Sequence, residues 1–89
     1  VWNNIPQLPF AALRRILLDL DFEEIVVPGS HIGFKHAPSD SVFMFRPYRP
    51  DERVGLADLL SVRRHLDERG LMSAERFDAR VRKSCKASA

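Results

Sequence analysis

The stretch that decides the fold is Glu23 to Arg46, EEIVVPGSHIGFKHAPSDSVFMFR. It opens with the β-branched run Ile25-Val26-Val27, which Pro28-Gly29, a pair suited to a turn, brings to a stop. Ser30 to His36 then alternates with period two, Ala37 to Ser41 (APSDS) carries turn chemistry, and Val42 to Arg46 is apolar and aromatic. Three short strands joined by tight turns predict an antiparallel meander. A sheet this small is not stable with both faces wet, so helices must cover one of them.

The flanks supply those helices. From Phe10 the apolar residues Phe10, Leu13, Ile16, Leu17 and Leu20 recur at helical spacing, with Pro9 suited to the first helical position and the pattern ending near Asp21. After the charged, proline-containing loop Pro47 to Arg53, a second helix is expected from about Gly55 to Arg69. Leu56, Leu59, Leu60, Val62 and Leu66 share its apolar arc, and Gly70 is placed to end it. Arg63 falls within that arc and is expected to pair with Asp67 one turn on. Ser73 is placed to cap a last short helix that docks Phe77 and Val81. Residues 1–9 read as an irregular lead-in, residues 10–82 as one domain and residues 83–89 as a frayed tail. The expected fold is therefore an α+β sandwich in the order α-β-β-β-α(-α), a three-stranded antiparallel sheet with helices on one face.

Size and charge bound what such a fold can do. Eighty-nine residues make one domain with one modest core, and 45% hydrophobic with 29% charged residues excludes a disordered or low-complexity chain. The formal net charge of +2 is small but unevenly spread. Residues 1–45 carry −2, whereas residues 46–89 carry +4 and nine arginines: Arg46, Arg49, Arg53, Arg63, Arg64, Arg69, Arg76, Arg80 and Arg82. Arginine's planar fork suits phosphate, although such a surface also serves simply as a solvated one. The single cysteine, Cys85, allows no intrachain disulfide. No apolar run has the length of a membrane span and no secretion signal is evident, so a cytoplasmic protein is expected.

Alternation along the second strand predicts which side chains meet the core. With Ile32 and Phe34 facing the helices, His31, Gly33 and Lys35 face the open side, unless a bulge near Gly29 reverses His31. Gly33 removes a side chain from the middle of that face, as close approach of something bulky would require. His31, directly after Pro28-Gly29-Ser30, sits on a tight turn feeding a strand, a rigid platform for a catalytic group. His36 shares the parity of Ile32 and Phe34 and is expected to pack or cap the edge, and His65 to be solvated on the polar side of the second helix. No metal or cofactor motif is present: His31 and His36 lie on opposite faces, and CxxC, HExxH, P-loop and GxGxxG patterns are missing. Ser30 and His31, as strand neighbours, point apart and do not make a nucleophile and base pair.

These features together resemble the HicA family of toxins from toxin–antitoxin systems, also described as YcfA-like. The resemblance rests on a first helix ending in Asp21-Phe22, where the family usually has Gly-Phe, and on Gly29-Ser30-His31 opening the second strand ahead of Ile32 to His36. It continues through Val42 to Arg46 and the series Leu56, Leu59, Val62, Leu66, Gly70-Leu71-Met72-Ser73 and Phe77. About residues 10 to 78 are covered. The resemblance implies a fold similar to a double-stranded-RNA-binding domain, an mRNA interferase activity, a HicB-type antitoxin partner and a catalytic role for His31 within the Gly29-Ser30-His31 motif. Two departures stand out: Pro47-Tyr48-Arg49 replaces a common Pro-x-His, and Asp21 replaces the glycine.

The function expected is that of a metal-independent endoribonuclease. RNA carries its own nucleophile, the 2′-OH, so cleavage needs a base for that proton, charge stabilisation at phosphorus and an acid for the leaving oxygen. A histidine such as His31 suits base or acid work at neutral pH. Gly29, Ser30, Lys35, Arg46 and Arg49 are the candidate substrate-binding residues, Ser30 orienting the turn or a phosphate and the three cations holding phosphates. The alternatives are a non-catalytic RNA-binding module, or a protein-interaction module in which an exposed Tyr48 and Arg49 loop meets an acidic partner.

Overall fold

The first helix is set by its apolar spacing and by how its open N-terminus is closed. The computed structural model describes residues 7–29 and 31–87, and in it helix α1 spans Phe10–Asp19. Pro9 precedes the helix in extended conformation and bridges Arg53, so the loop 47–55 lies across the start of α1. The free amides of Phe10 and Ala11 donate to the carbonyls of Glu52 and Pro50 at 2.8 and 3.0 Å, and the Val54 amide donates to Leu8 at 2.9 Å. Leu8 is fully buried as a result, so the end of the expected lead-in belongs to the core. Residues 1–6 lie outside the described residues. At the other end, Asp21 takes a left-handed φ of 68° and lets the chain reverse into the sheet.

Strands β1 (Glu23–Val26), β2 (Ile32–His36) and β3 (Ser41–Phe45) form one antiparallel sheet in the order β1-β2-β3. The ladder pairs Glu23 with Lys35 and Val26 with Ile32 on one side of β2, and Ile32 with Phe45 and His36 with Ser41 on the other. A 3-10 turn, Ala37–Ser39, followed by Asp40 at φ 54°, joins β2 to β3. Helix α2 runs Leu56–Glu68 and helix α3 runs Ala74–Ala87. The architecture is thus α+β in the order α-β-β-β-α-α, as the periodicities predict.

Alternation places Phe34, Phe43 and Phe45 on the helix side of the sheet, where they pack with Phe10, Leu13, Leu59, Val62, Leu66, Phe77 and Val81. Phe10 joins Phe34, Phe45 and Tyr48, with ring centroids 6.3, 5.7 and 5.1 Å away. The other face of the sheet is uncovered: Val42 and Met44 are 49% and 55% exposed, and Lys35 is exposed beside them. No helix among the described residues is long and apolar enough to cross a membrane.

Three expectations about the helices change. Leu56 and Leu60 stand at the rim, each 38% exposed, because the sheet and α3 reach only Leu59, Val62 and Leu66. Arg63 turns to α3, where Nε and Nη2 donate to the two oxygens of Asp78 at 2.8 and 3.0 Å, and Asp67 accepts the Ala74 amide instead. The last helix is 14 residues long and includes residues 83–87 of the expected tail. Arg80 anchors it to α1 through Asp19 at 2.6 Å.

Candidate functional site

The five-residue strand β2 ends in His36 and is preceded by His31. His31 immediately precedes β2, and within the strand Gly33 and Lys35 share the open side. The ladder is unbroken from Ile32 to His36. The turn before it depends on Gly29 at φ 86°, a conformation an L side chain rarely adopts. The His31 ring folds back over this glycine, its Nδ1 lying 3.3 Å from where a Cβ on Gly29 would be. The imidazole is exposed at the sheet surface. Ser30 lies outside the described residues.

The open face is less basic than the sequence led one to expect. The gap at Gly33 is filled from within the same sheet, since a Cβ there would lie 2.7 Å from Ile25 Cγ1 and 2.8 Å from Val27 Cγ2. Gly33 therefore accommodates its neighbours on β1 and the following turn. The result is an apolar strip of Ile25, Val27, Val42 and Met44, with Glu23 and Lys35 paired across it at one end and His31 at the other. Lys35 makes no ion pair among the described residues, yet it stands four residues from His31, roughly 13 Å along an extended strand. The two side chains cannot hold the same phosphate from those positions.

Arg46, which follows Phe45, sits at the His31 end. The register Ile32 with Phe45, continued by one step, sets His31 opposite Arg46. The Arg46 guanidinium lies 4.0 Å above the Tyr48 ring and donates to Glu52 at 2.6 Å. Glu52 also accepts the Arg49 amide at 3.1 Å. That backbone N–H and, after it, the Arg46 guanidinium hold the Glu52 carboxyl below the usual carboxylate range. The Arg49 side chain is exposed and makes no ion pair among the described residues. The structure thus leaves His31 and Arg46 at one end of the sheet and Lys35 at the other, with the Arg49 side chain exposed on the loop that follows β3.

Tyr48 is not the exposed anchor that its proline-rich loop predicts. It is 7% exposed and stacked on Phe10, its hydroxyl donating to Asp58 at 2.6 Å and accepting the Gly55 amide at 2.9 Å. Burial, and next the bond to Asp58, push the phenol above its ordinary value. Tyr48 holds the loop to α1 and α2, which leaves Arg49 as the part of that loop open to a partner.

His65 also departs from expectation. It bonds through Nε2 to the fully buried Ser41 hydroxyl at 2.8 Å and meets the Phe43 ring edge-on at 5.0 Å. It stands three residues after the buried Val62, on the shoulder of the apolar stripe, and that spacing was the one available signal. His36 packs on Phe22 with ring centroids 5.1 Å apart, in keeping with its parity. Among the described residues no group of three or more His, Cys, Asp or Glu side chains is arranged to hold a metal. Comparison of the chain with protein-family models, curated proteins and solved structures finds no match.

Proposed function

We propose that this protein is an RNA-binding endoribonuclease of the HicA toxin kind, with His31 as the base or acid and a HicB-like antitoxin as its partner. The observation that carries the reading is an exposed imidazole over a glycine turn at the start of the central strand, one residue before the step that pairs Ile32 with Phe45, the residue that Arg46 follows. Such a site binds a polymer on a shallow surface. His31 takes the 2′-OH proton, the oxygen so freed attacks phosphorus, and the 5′-oxygen leaves with a proton returned by an acid. The arginines offset charge on the phosphorane. Arg46 must loosen its bond to Glu52 to do so, whereas Arg49 is ready to take a phosphate oxygen. Lys35 meets the same strand one or two nucleotides away and adds affinity without specificity.

The resemblance behind this reading gains support from particular positions. Asp21, which stands where the family usually has glycine, adopts the left-handed φ that glycine favours. Phe22, Leu59, Val62, Leu66, Met72 and Phe77, which carry the family pattern, are all buried. A similarity to double-stranded-RNA-binding domains belongs to the same proposal and accords with the α-β-β-β-α order. The test is cleavage of single-stranded RNA in the presence of a chelator: His31→Ala is expected to lose about 10²–10⁴-fold in rate while staying folded. Equal cleavage by parent and variant would remove His31 from the mechanism.

A second reading has one observation in its favour. The exposed Val42 and Met44 on the open face suit a protein surface better than a phosphate backbone. A module that binds protein, or one that holds RNA intact, would leave RNA uncut at every salt concentration. Retention of uncut RNA that weakens steeply with salt would separate RNA binding from a purely protein partner.

A further inference from the structure

The two edges of the sheet are unlike. Strand β1 carries Glu23 and Glu24 at its start, one on each face, and charges of this kind keep an exposed edge from pairing with other chains. Strand β3, the opposite edge, reads Ser41-Val42-Phe43-Met44-Phe45 and holds no charge. Among the described residues no backbone hydrogen bond from outside the sheet reaches residues 41–45.

Burial locates the free groups of that edge. Ser41, Phe43 and Phe45 are buried as whole residues, main chain included, whereas Val42 and Met44 between them are about half exposed. In an antiparallel ladder successive residues turn their N–H and C=O alternately to the partner strand and away from it. Val42 and Met44 therefore present theirs outward, while their side chains extend the open face.

The flanks of the strand carry opposite charges. Asp40, exposed and without an ion pair among the described residues, precedes β3, and Arg46, whose side chain stays 55% exposed with Glu52 bound to it, follows. Laid antiparallel on a second copy of itself, β3 brings Asp40 beside the partner's Arg46 at both ends. A parallel pairing sets like charges together instead. Centred on Phe43, the antiparallel pairing joins Val42 to the partner's Met44 and Met44 to the partner's Val42. Each of these pairs exchanges two backbone hydrogen bonds, with all four side chains on one face.

We infer that β3 is a dimerisation edge, on which a second copy of this chain pairs antiparallel about Phe43 to make one six-stranded sheet in the order β1-β2-β3-β3-β2-β1. The two-fold arrangement uses both β3 edges and leaves β1 outermost on each side, so Glu23 and Glu24 end the assembly at two chains. Val42 and Met44 each gain an apolar neighbour across the seam, and the apolar strip of the open face becomes continuous over both copies. Parity places the helices of both copies on the other face. Two paired strands of five residues bury less than the ~1,200 Å² in total at which standard interfaces begin, so the dimer is a weak one.

Sedimentation of the full chain between about 10 and about 500 µM tests this, the range in which a small interface shows its association. The mean mass is expected to climb from that of one chain towards that of two and to stop there. Over the same range amide exchange at Val42 and Met44 should slow about 3–10-fold, while exchange at Val26 on the β1 edge stays constant. Met44→Lys, at an exposed position, should keep the chain folded and monomeric throughout, and Val26→Lys, at a fully exposed one, should leave the dimer intact. One constant mass, growth beyond two chains, or unchanged exchange at Val42 and Met44 would overturn the inference. So would a dimer that survives Met44→Lys or is lost in Val26→Lys.

Discussion

The two ends of β2 place the same side chain in opposite circumstances. At one end, just before the strand, His31 stands exposed over a glycine turn with no hydrogen-bond partner among the described residues. At the other, His36 is wedged against Phe22 and committed to a chain of hydroxyls that ends at His65. His31 and His36 stand five positions apart, an odd offset, so strict alternation sends one to the open face and the other to the core side. An imidazole with free nitrogens on a rigid platform is equipped for chemistry, and one whose nitrogen completes a buried network is equipped to hold structure.

The sharpest break of this comparison is His31→Ala. Its expected loss of about 10²–10⁴-fold in RNA cleavage should come with a change in unfolding free energy within about 0.5 kcal/mol, measured by chelated cleavage assays and urea titration. Ser41→Ala at the other end should do the reverse. Removing a fully buried hydroxyl that joins Ser39 to His65 is expected to cost about 1–3 kcal/mol of stability in the same urea titration, with cleavage per folded molecule unchanged.

Between the two ends, Gly33→Ala should cost about 1 kcal/mol, because its Cβ would press on Ile25 and Val27 while those partly exposed side chains can rotate outward. A cost above about 3 kcal/mol would mean the strip is rigid. The smallest effect concerns the loop beside His31. The Glu52 carboxyl is held below the carboxylate range, so its tie to Arg46 and Arg49 is complete at neutral pH and lost as pH falls through that lowered value. Glu52→Gln should therefore speed hydrogen exchange at the Arg49 amide at pH 7 and leave it little changed once the parent carboxyl is protonated.

The element order was legible because each segment obeys a single period: apolar residues at helical spacing in α1 and α2, and alternation in β2 and β3. The faces of Phe34, Gly33 and Lys35 were legible for the same reason, since parity is local. What could not be read depends on distant contacts. Tyr48 is buried because the 47–55 loop closes the amides of α1, a partnership invisible in PYRPDER itself. His65 is engaged because the start of β3 comes within hydrogen-bond reach of α2, 24 residues on. The length of α3 escaped because the apolar stripe ends at Val81 and the helix continues through charged residues. Gly33 was read as room for a ligand when its occupants were its own neighbours on the sheet.

The central claim is that His31 assists a 2′-hydroxyl in cutting RNA. It is tested most directly by incubating the parent protein with chelator and two oligonucleotides, one all-ribose and one with 2′-deoxyribose at the sites cut in the first. The account predicts 2′,3′-cyclic phosphate ends from the ribose strand, none from the deoxy-substituted positions, and neither product with His31→Ala. Cleavage at the deoxy positions, or cyclic ends formed equally by His31→Ala, would contradict it.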